Sequence, residues 1–203
     1  MLRPSATGRT IPGDSLRDAA EAAWLALGRR GGTAAFEELF RSFAAELTDF
    51  ASTYVGADDD AEEVVHIVFC WVWDHRFALP RPQSVRSYLY AAVRNRALNV
   101  VRDRRTEAAF RERAERASRC NDLAAASPSP DSELAVRDIE HALAAALRGM
   151  PPRCREVYVL AREHGLSYAE IAAALDIAPK TVEIHMSRAL GILRRRLAPW
   201  LDG

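Results

Sequence analysis

Apolar residues recur every three or four positions along most of the chain, the spacing of one buried helical face. Residues 34–54 show it clearly, with Phe36, Leu39, Phe40, Phe43, Leu47 and Phe50 in register. A weaker helix is predicted over residues 16–29 and stopped by Gly31-Gly32, and a third begins near Asp60. Pro80 and Pro82 then break the chain, and Ser84 is placed to cap a fourth helix that runs to about Arg105. Beyond residue 132 the helical spacing returns. Leu134, Ile139, Leu143 and Leu147 share a face that ends at Gly149. Pro151-Pro152 open a further helix with Val157 and Leu160 inward, and Gly165 closes it. Ser167 and Glu170 form an S-x-x-E capping box for a helix ending at Leu175. Asp176-Ile177-Ala178 is a tight turn, and Pro179 takes the first position of a last helix that runs to about Leu197. Strand-like alternation bounded by turn residues is absent throughout. The pattern predicts an all-α protein.

Residues 106–132 differ in character. Their first half is mixed-charge and helix-compatible, whereas the second half ends in SPSPDS, a linker composition. Residues 1–13, rich in Pro, Gly, Ser and Thr, are expected to be disordered. The expected organisation is two small helical domains, residues 14–105 and 133–203, joined by a flexible linker over 106–132.

Composition narrows the function. No apolar run approaches 18 residues, so no membrane span is expected, and the N-terminus lacks the apolar core of a signal peptide. A cytoplasmic protein is the expectation. Cys70, Cys120 and Cys154 are odd in number and widely spaced, which fits neither a disulfide framework nor a zinc ribbon. Basic and acidic residues balance, 28 against 28, but they are not evenly placed. Residues 86–105 carry six arginines against Asp103 alone, and residues 180–196 carry Lys180 and four arginines against Glu183. Two local anion-binding surfaces are implied. Lys180 is the only lysine, so arginine abundance by itself says little; its position carries the inference.

The last two helices have the proportions of a helix-turn-helix. Val182, Met186, Ala189, Leu190, Leu193 and Leu197 fall on one face of the final helix and are placed to pack on Ile171 and Leu175. Lys180, Thr181, Glu183, Ile184, Ser187 and Arg188 occupy the other face, near the helix N-terminus. In this motif such positions meet base edges in the major groove. Arg194, Arg195 and Arg196 add charge further along. The plainer reading is a helical hairpin with a solvated face.

The segment DAEEVVHIVFCWVWD, residues 60–74, is apolar over an arc of about 240°, where a surface helix needs about 100°. The excess points to a docking partner. His66 and Cys70 lie four apart, but nothing nearby completes a tetrahedral metal site, so no metal is expected. The acidic run DDDAEE, residues 58–63, is read as a helix cap that favours the positive end of the dipole.

On the fourth helix, Leu89, Val93, Ala97 and Val100 make the inner face. Ser87, Tyr88, Arg94, Asn95, Asn99, Arg102 and Arg105 share the other side without an acid among them. Arginine tracks phosphate, tyrosine stacks on a base and asparagine bonds an unpaired base edge, a mixture suited to single-stranded DNA. No P-loop, nucleophile elbow or H-E-x-x-H motif is present, so no catalytic residue, cofactor or small-molecule substrate is expected.

These residues resemble one family. DAEEVVHIVFCWVW is similar to the helix with which extracytoplasmic-function (ECF) sigma factors bind the clamp helices of RNA polymerase. SVRSYLYAAVRNRALNVVRDRR resembles their promoter-melting helix, and residues 150–197 their second, helix-turn-helix domain. The resemblance implies a region 2-like bundle followed by a region 4-like domain. It implies core polymerase contacts at Asp60, Glu63, Ile67, Cys70, Trp71 and Asp74. The nearer promoter element would meet Tyr88, Arg94, Asn95, Asn99, Arg102 and Arg105. The distant element would meet Lys180, Thr181, Glu183, Ile184, Ser187 and Arg188. The string T-V-E-x-H-M-x-R-A-L is closest to the iron-citrate-type branch, often governed by a membrane anti-sigma protein, so an anti-sigma partner is implied beside core polymerase and promoter DNA. The chain departs from the family at His66-Ile67 (usually Q-E), at Asn99 (commonly Asp), at Asp176 (usually Gly) and at Glu183-Ile184 (often basic).

Two rival readings remain at this level. A LuxR-type regulator also carries T-V-x-x-H in its helix-turn-helix, but would place a sensor or receiver domain in front. A helical adaptor or anti-sigma-like protein would leave the basic faces incidental.

Overall fold

A computed structural model describes residues 12–29, 32–116 and 136–201. These form eight helices, α1 (Pro12–Ala26), α2 (Gly32–Val55), α3 (Asp58–Asp74), α4 (Val85–Arg116), α5 (Val136–Arg148), α6 (Pro152–Arg162), α7 (Tyr168–Leu175) and α8 (Pro179–Leu201). No strand occurs among the described residues. The chain divides into two compact units, with the break between Arg102 and Asp103. Residues 1–11 and the SPSPDS segment lie outside the described residues.

In the first unit α2 packs against both α1 and α3. Gly56, at φ +81°, turns α2 back into α3, a conformation that costs glycine no side-chain clash. Leu39, Phe43, Leu47 and Phe50 of α2 are buried, as are Val64, Val65, Val68, Phe69 and Val72 of α3. Phe36, Phe40, Phe69 and Trp73 form a chain of aromatic contacts between these helices, with ring centroids 5.1–6.5 Å apart. The N-cap of α3 is Ala57, which makes no side-chain bond, and Asp58, Asp59 and Asp60 fill the first turn. The acidic run therefore complements the helix dipole but is not the cap expected of it.

The start of α4 is fixed from two directions. Ser84 Oγ accepts from the Ser87 amide at 3.3 Å, the cap read from the sequence. Glu21 of α1 accepts from the Val85 amide at 2.9 Å, and Trp24 Nε1 donates to the Pro80 carbonyl at 3.0 Å. Leu89, Val93 and Ala97 are fully buried, and Val100 is half-buried. Tyr90 is enclosed against Phe50, 4.9 Å away, beside the Arg86–Glu46 ion pair; burial first, then the Glu46 charge, raises its pKa far above the ordinary tyrosine range. The helix does not stop near Arg105 but continues to Arg116, and residues 102–110 are exposed. The mixed-charge half of the expected linker is thus helical where it is described.

In the second unit α8 packs against α5, α6 and α7. Ala146, Met150, Cys154, Ala189 and Leu193 form one buried cluster, flanked by Leu143, Leu147, Ile192 and Leu197. Val157, Leu160, Ile171 and Val182 are fully buried. Both halves of the capping box are present: Ser167 Oγ accepts from the Glu170 amide at 3.3 Å, and the Glu170 carboxylate accepts from the Ser167 amide at 2.9 Å. Loss of that cap removes a partner from an orphan helix amide. Ser167→Ala is expected to lower the stability of this unit by about 1 kcal/mol, read as a lower urea midpoint with unchanged slope.

Candidate nucleic-acid and polymerase-binding surfaces

The helix-turn-helix owes its bend to Asp176, which sits in the left-handed region at φ 53°, ψ 53°. Aspartate tolerates this region better than most side chains because its short polar group bonds locally. The Ile177 amide closes the turn on the Ala172 carbonyl at 3.0 Å. The bend leaves Lys180, Glu183, Ile184, Ser187 and Arg188 of α8 exposed, while Val182, Met186 and Ala189 face inward. Thr181 is half-buried, so it stands at the edge of this face. Lys180 Nζ pairs with Glu183 at 2.5 Å, and this contact raises the lysine pKa. Behind the face, His185 Nδ1 lies 3.6 Å from the buried Cys154 sulfur. Arg188 and Arg195 line one cleft with Arg153 and His185.

On α4, Asn95, Asn99, Arg102 and Arg105 are exposed and Arg94 is half-buried. Two residues depart from the expected open face. Ser87 is buried, its amide bonded to Ser84. Tyr88 packs edge-on to Trp24, with centroids 5.1 Å apart, and burial raises its pKa. Tyr88 is therefore partly committed to holding α1. Its helical position could not disclose this, because Trp24 approaches from a distant part of the chain.

On α3 the broad apolar arc goes mostly into the core, and what the first unit leaves over is Trp71, exposed, with Ile67 and Trp73 half-buried. The outer strip is Glu63, Cys70, Trp71 and Asp74, all exposed, with Ile67 and Asp60 half-buried. Trp71 stacks on His75 at 4.4 Å, and His75 Nδ1 lies 2.9 Å from the Trp71 carbonyl. His66 and Cys70 are both exposed, and no group of three metal-ligating side chains stands together among the described residues. Just beyond, Arg76 lies over the rings of Trp73 and Phe77, at 4.2 and 4.4 Å. This cation–π pair was not singled out in the sequence; the spacing Trp73-x-x-Arg76-Phe77 was its only signal.

The sigma-70 region 2 family matches residues 39–107, and the sigma-70 region 4 family matches residues 140–193. The ECF RNA polymerase sigma factor SigE of Mycolicibacterium smegmatis is 29% identical over 174 residues. This chain is an ECF sigma factor.

The SigE match covers 85% of the sigma factor and 65% of SigE. The structure of CnrH, a sigma factor of Cupriavidus metallidurans, in complex with the cytosolic domain of CnrY resembles this one with a TM-score of 0.60 and 25% identity. That likeness covers 92% of this chain and 99% of CnrH. RpoE in the complex with the anti-sigma factor NepR from Bartonella quintana shares the fold, with a TM-score of 0.56 and 23% identity over 80% of this chain and 96% of that one. Sigma factors direct RNA polymerase to promoters and are not enzymes. No described helix of this sigma factor is long and apolar enough to cross a membrane. Its α3, α4 and α8 surfaces fall in or beside the two matched regions.

Proposed function

We propose that the sigma factor divides its work among three faces. The outer strip of α3 (Asp60, Glu63, Ile67, Cys70, Trp71, Asp74) docks on core RNA polymerase. Arg94, Asn95, Asn99, Arg102 and Arg105 of α4, with Tyr88 at its edge, engage the nearer promoter element once its strands part. Lys180, Thr181, Glu183, Ile184, Ser187 and Arg188 of α8 read the distant element as duplex. The observation that carries this division is that α4 of the first unit presents Asn95, Asn99 and Arg102 exposed on an acid-poor face, while α8 of the second unit presents the exposed face of a helix-turn-helix. Residues 14–105 and 133–203 act as separate domains in this scheme, with 106–132 between them, and the protein works in the cytoplasm beside polymerase. The resemblance to CnrH, solved with the cytosolic domain of CnrY, supports a protein partner for this chain as well, which we read as an anti-sigma factor held at the membrane.

Two substitutions test the division. Arg188→Ala is expected to cost about 1–3 kcal/mol at one or two positions of the distant element if the guanidinium bonds a base. A phosphate contact would instead lower affinity evenly and reduce the salt slope by about one. Asn99→Ala is expected to slow strand opening, seen as weaker permanganate reactivity on a cognate promoter, while binding to the distant duplex element is retained. Lost duplex binding with normal use of a pre-melted template would refute the assignment of α4.

A further inference from the structure

Lys180 and Glu183 stand side by side on α8, ammonium and carboxylate 2.5 Å apart and 79% and 50% exposed. They share a face with Ile184, which is 44% exposed. Helical side chains lean toward the N-terminus, so the Glu183 carboxylate is carried toward the end of α8 that enters the groove. A carboxylate between two rows of phosphates is repelled unless it accepts a hydrogen bond from a base. In the major groove only cytosine N4 and adenine N6 offer that donor. Adenine sets the N7 acceptor beside N6, which opposes a carboxylate; cytosine has no such acceptor there. The guanine paired with cytosine presents O6 and N7, which an ammonium satisfies. The ion pair thus displays one acceptor and one donor side by side, the complement of a C·G edge.

We propose that Lys180 and Glu183 act as one unit that reads a single C·G base pair of the distant promoter element. Glu183 accepts from the cytosine amino group, Lys180 donates to the guanine, and Ile184 packs on the methyl group of a neighbouring thymine. The proposal rests on the assignment of α8 to duplex DNA.

The test is transcription of a promoter library randomised in the distant element, with the full-length sigma factor and its core RNA polymerase, followed by sequencing of the products. The wild type should enrich a C·G pair with a thymine beside it. Glu183→Gln should lower the cytosine preference about ten-fold and move it toward adenine, which a glutamine amide reads through N6 and N7. Lys180→Met should weaken selection of the same pair, Lys180→Arg should retain it, and Ile184→Ala should relax only the neighbouring thymine. All three side chains are exposed enough that retained helicity by circular dichroism is expected. If Glu183→Gln and Lys180→Met change transcription evenly across sequences, the pair is an ordinary surface contact and the proposal is wrong. If the wild type selects no base in the distant element, the assignment of α8 itself fails, and this proposal with it.

Discussion

Trp71→Ala should weaken binding to core RNA polymerase by about 2 kcal/mol or more, roughly 30-fold, while leaving the fold intact. Trp71 is 44% exposed, a large apolar surface that the first unit does not bury. Large aromatic side chains of this kind dominate the energetics of protein interfaces. Its stacking on His75 also limits its rotamers before binding, so less conformational freedom is lost on docking. Ile67→Glu should act in the same direction, by placing a charge where Ile67 and Trp71 share one strip of α3. Phe110→Ala, 74% exposed on the far part of α4, is the control for a generic loss of surface hydrophobicity. Titration of labelled protein with core polymerase gives the affinity, and circular dichroism gives the helicity. Unchanged affinity for Trp71→Ala with unchanged helicity would remove α3 from the interface.

The largest expected loss of stability comes from one methyl group. A Cβ on Gly32 would lie 2.2 Å from the Leu27 carbonyl oxygen and 3.1 Å from the Leu27 carbonyl carbon. Those are backbone atoms at the end of α1, so no side chain can swing aside. Gly32→Ala must part α1 from α2 or distort the turn between them, at about 2–3 kcal/mol, more than the helix propensity gained from alanine. Because Glu21 and Trp24 of α1 hold the start of α4, the shift should propagate there. A fall of roughly 8–24 °C in the melting temperature of the first unit is expected. Promoter opening should suffer before binding of the distant element does. A melting temperature equal to or above that of the wild type would mean that the junction relaxes without cost and that the close approach is not a constraint.

Most of the helices could be read from the sequence because their causes are local. The 3.6-residue spacing of Leu39, Phe43, Leu47 and Phe50 marks one buried stripe of α2 wherever that helix packs. Ser167 and Glu170 cap α7 from within one turn, and Pro179 opens α8 by its own ring geometry. The helix-turn-helix face of α8 was legible for the same reason: periodicity assigns Val182, Met186 and Ala189 to one side, which leaves Lys180, Glu183 and Arg188 on the other. The bend at Asp176 was harder to anticipate, since only the closed turn puts a non-glycine residue at positive φ.

Periodicity alone could not say how much of the α3 arc the first unit would bury. Val64, Val65, Val68, Phe69 and Val72 find partners only because Gly56 folds α2 back along them, and that pairing leaves Trp71 outside. Tyr88 looked free on its helix until Trp24 arrived from α1 to cover one edge. The extension of α4 to Arg116 was hidden by a mixed-charge composition that suits a helix and a linker equally. The sequence by itself determined where helices begin, which stripe of each is apolar and which ends are capped, because those effects act within a turn or two of the chain. Which residues of a broad stripe stay in water was decided by tertiary structure alone, since burial depends on neighbours that the chain brings in from far away.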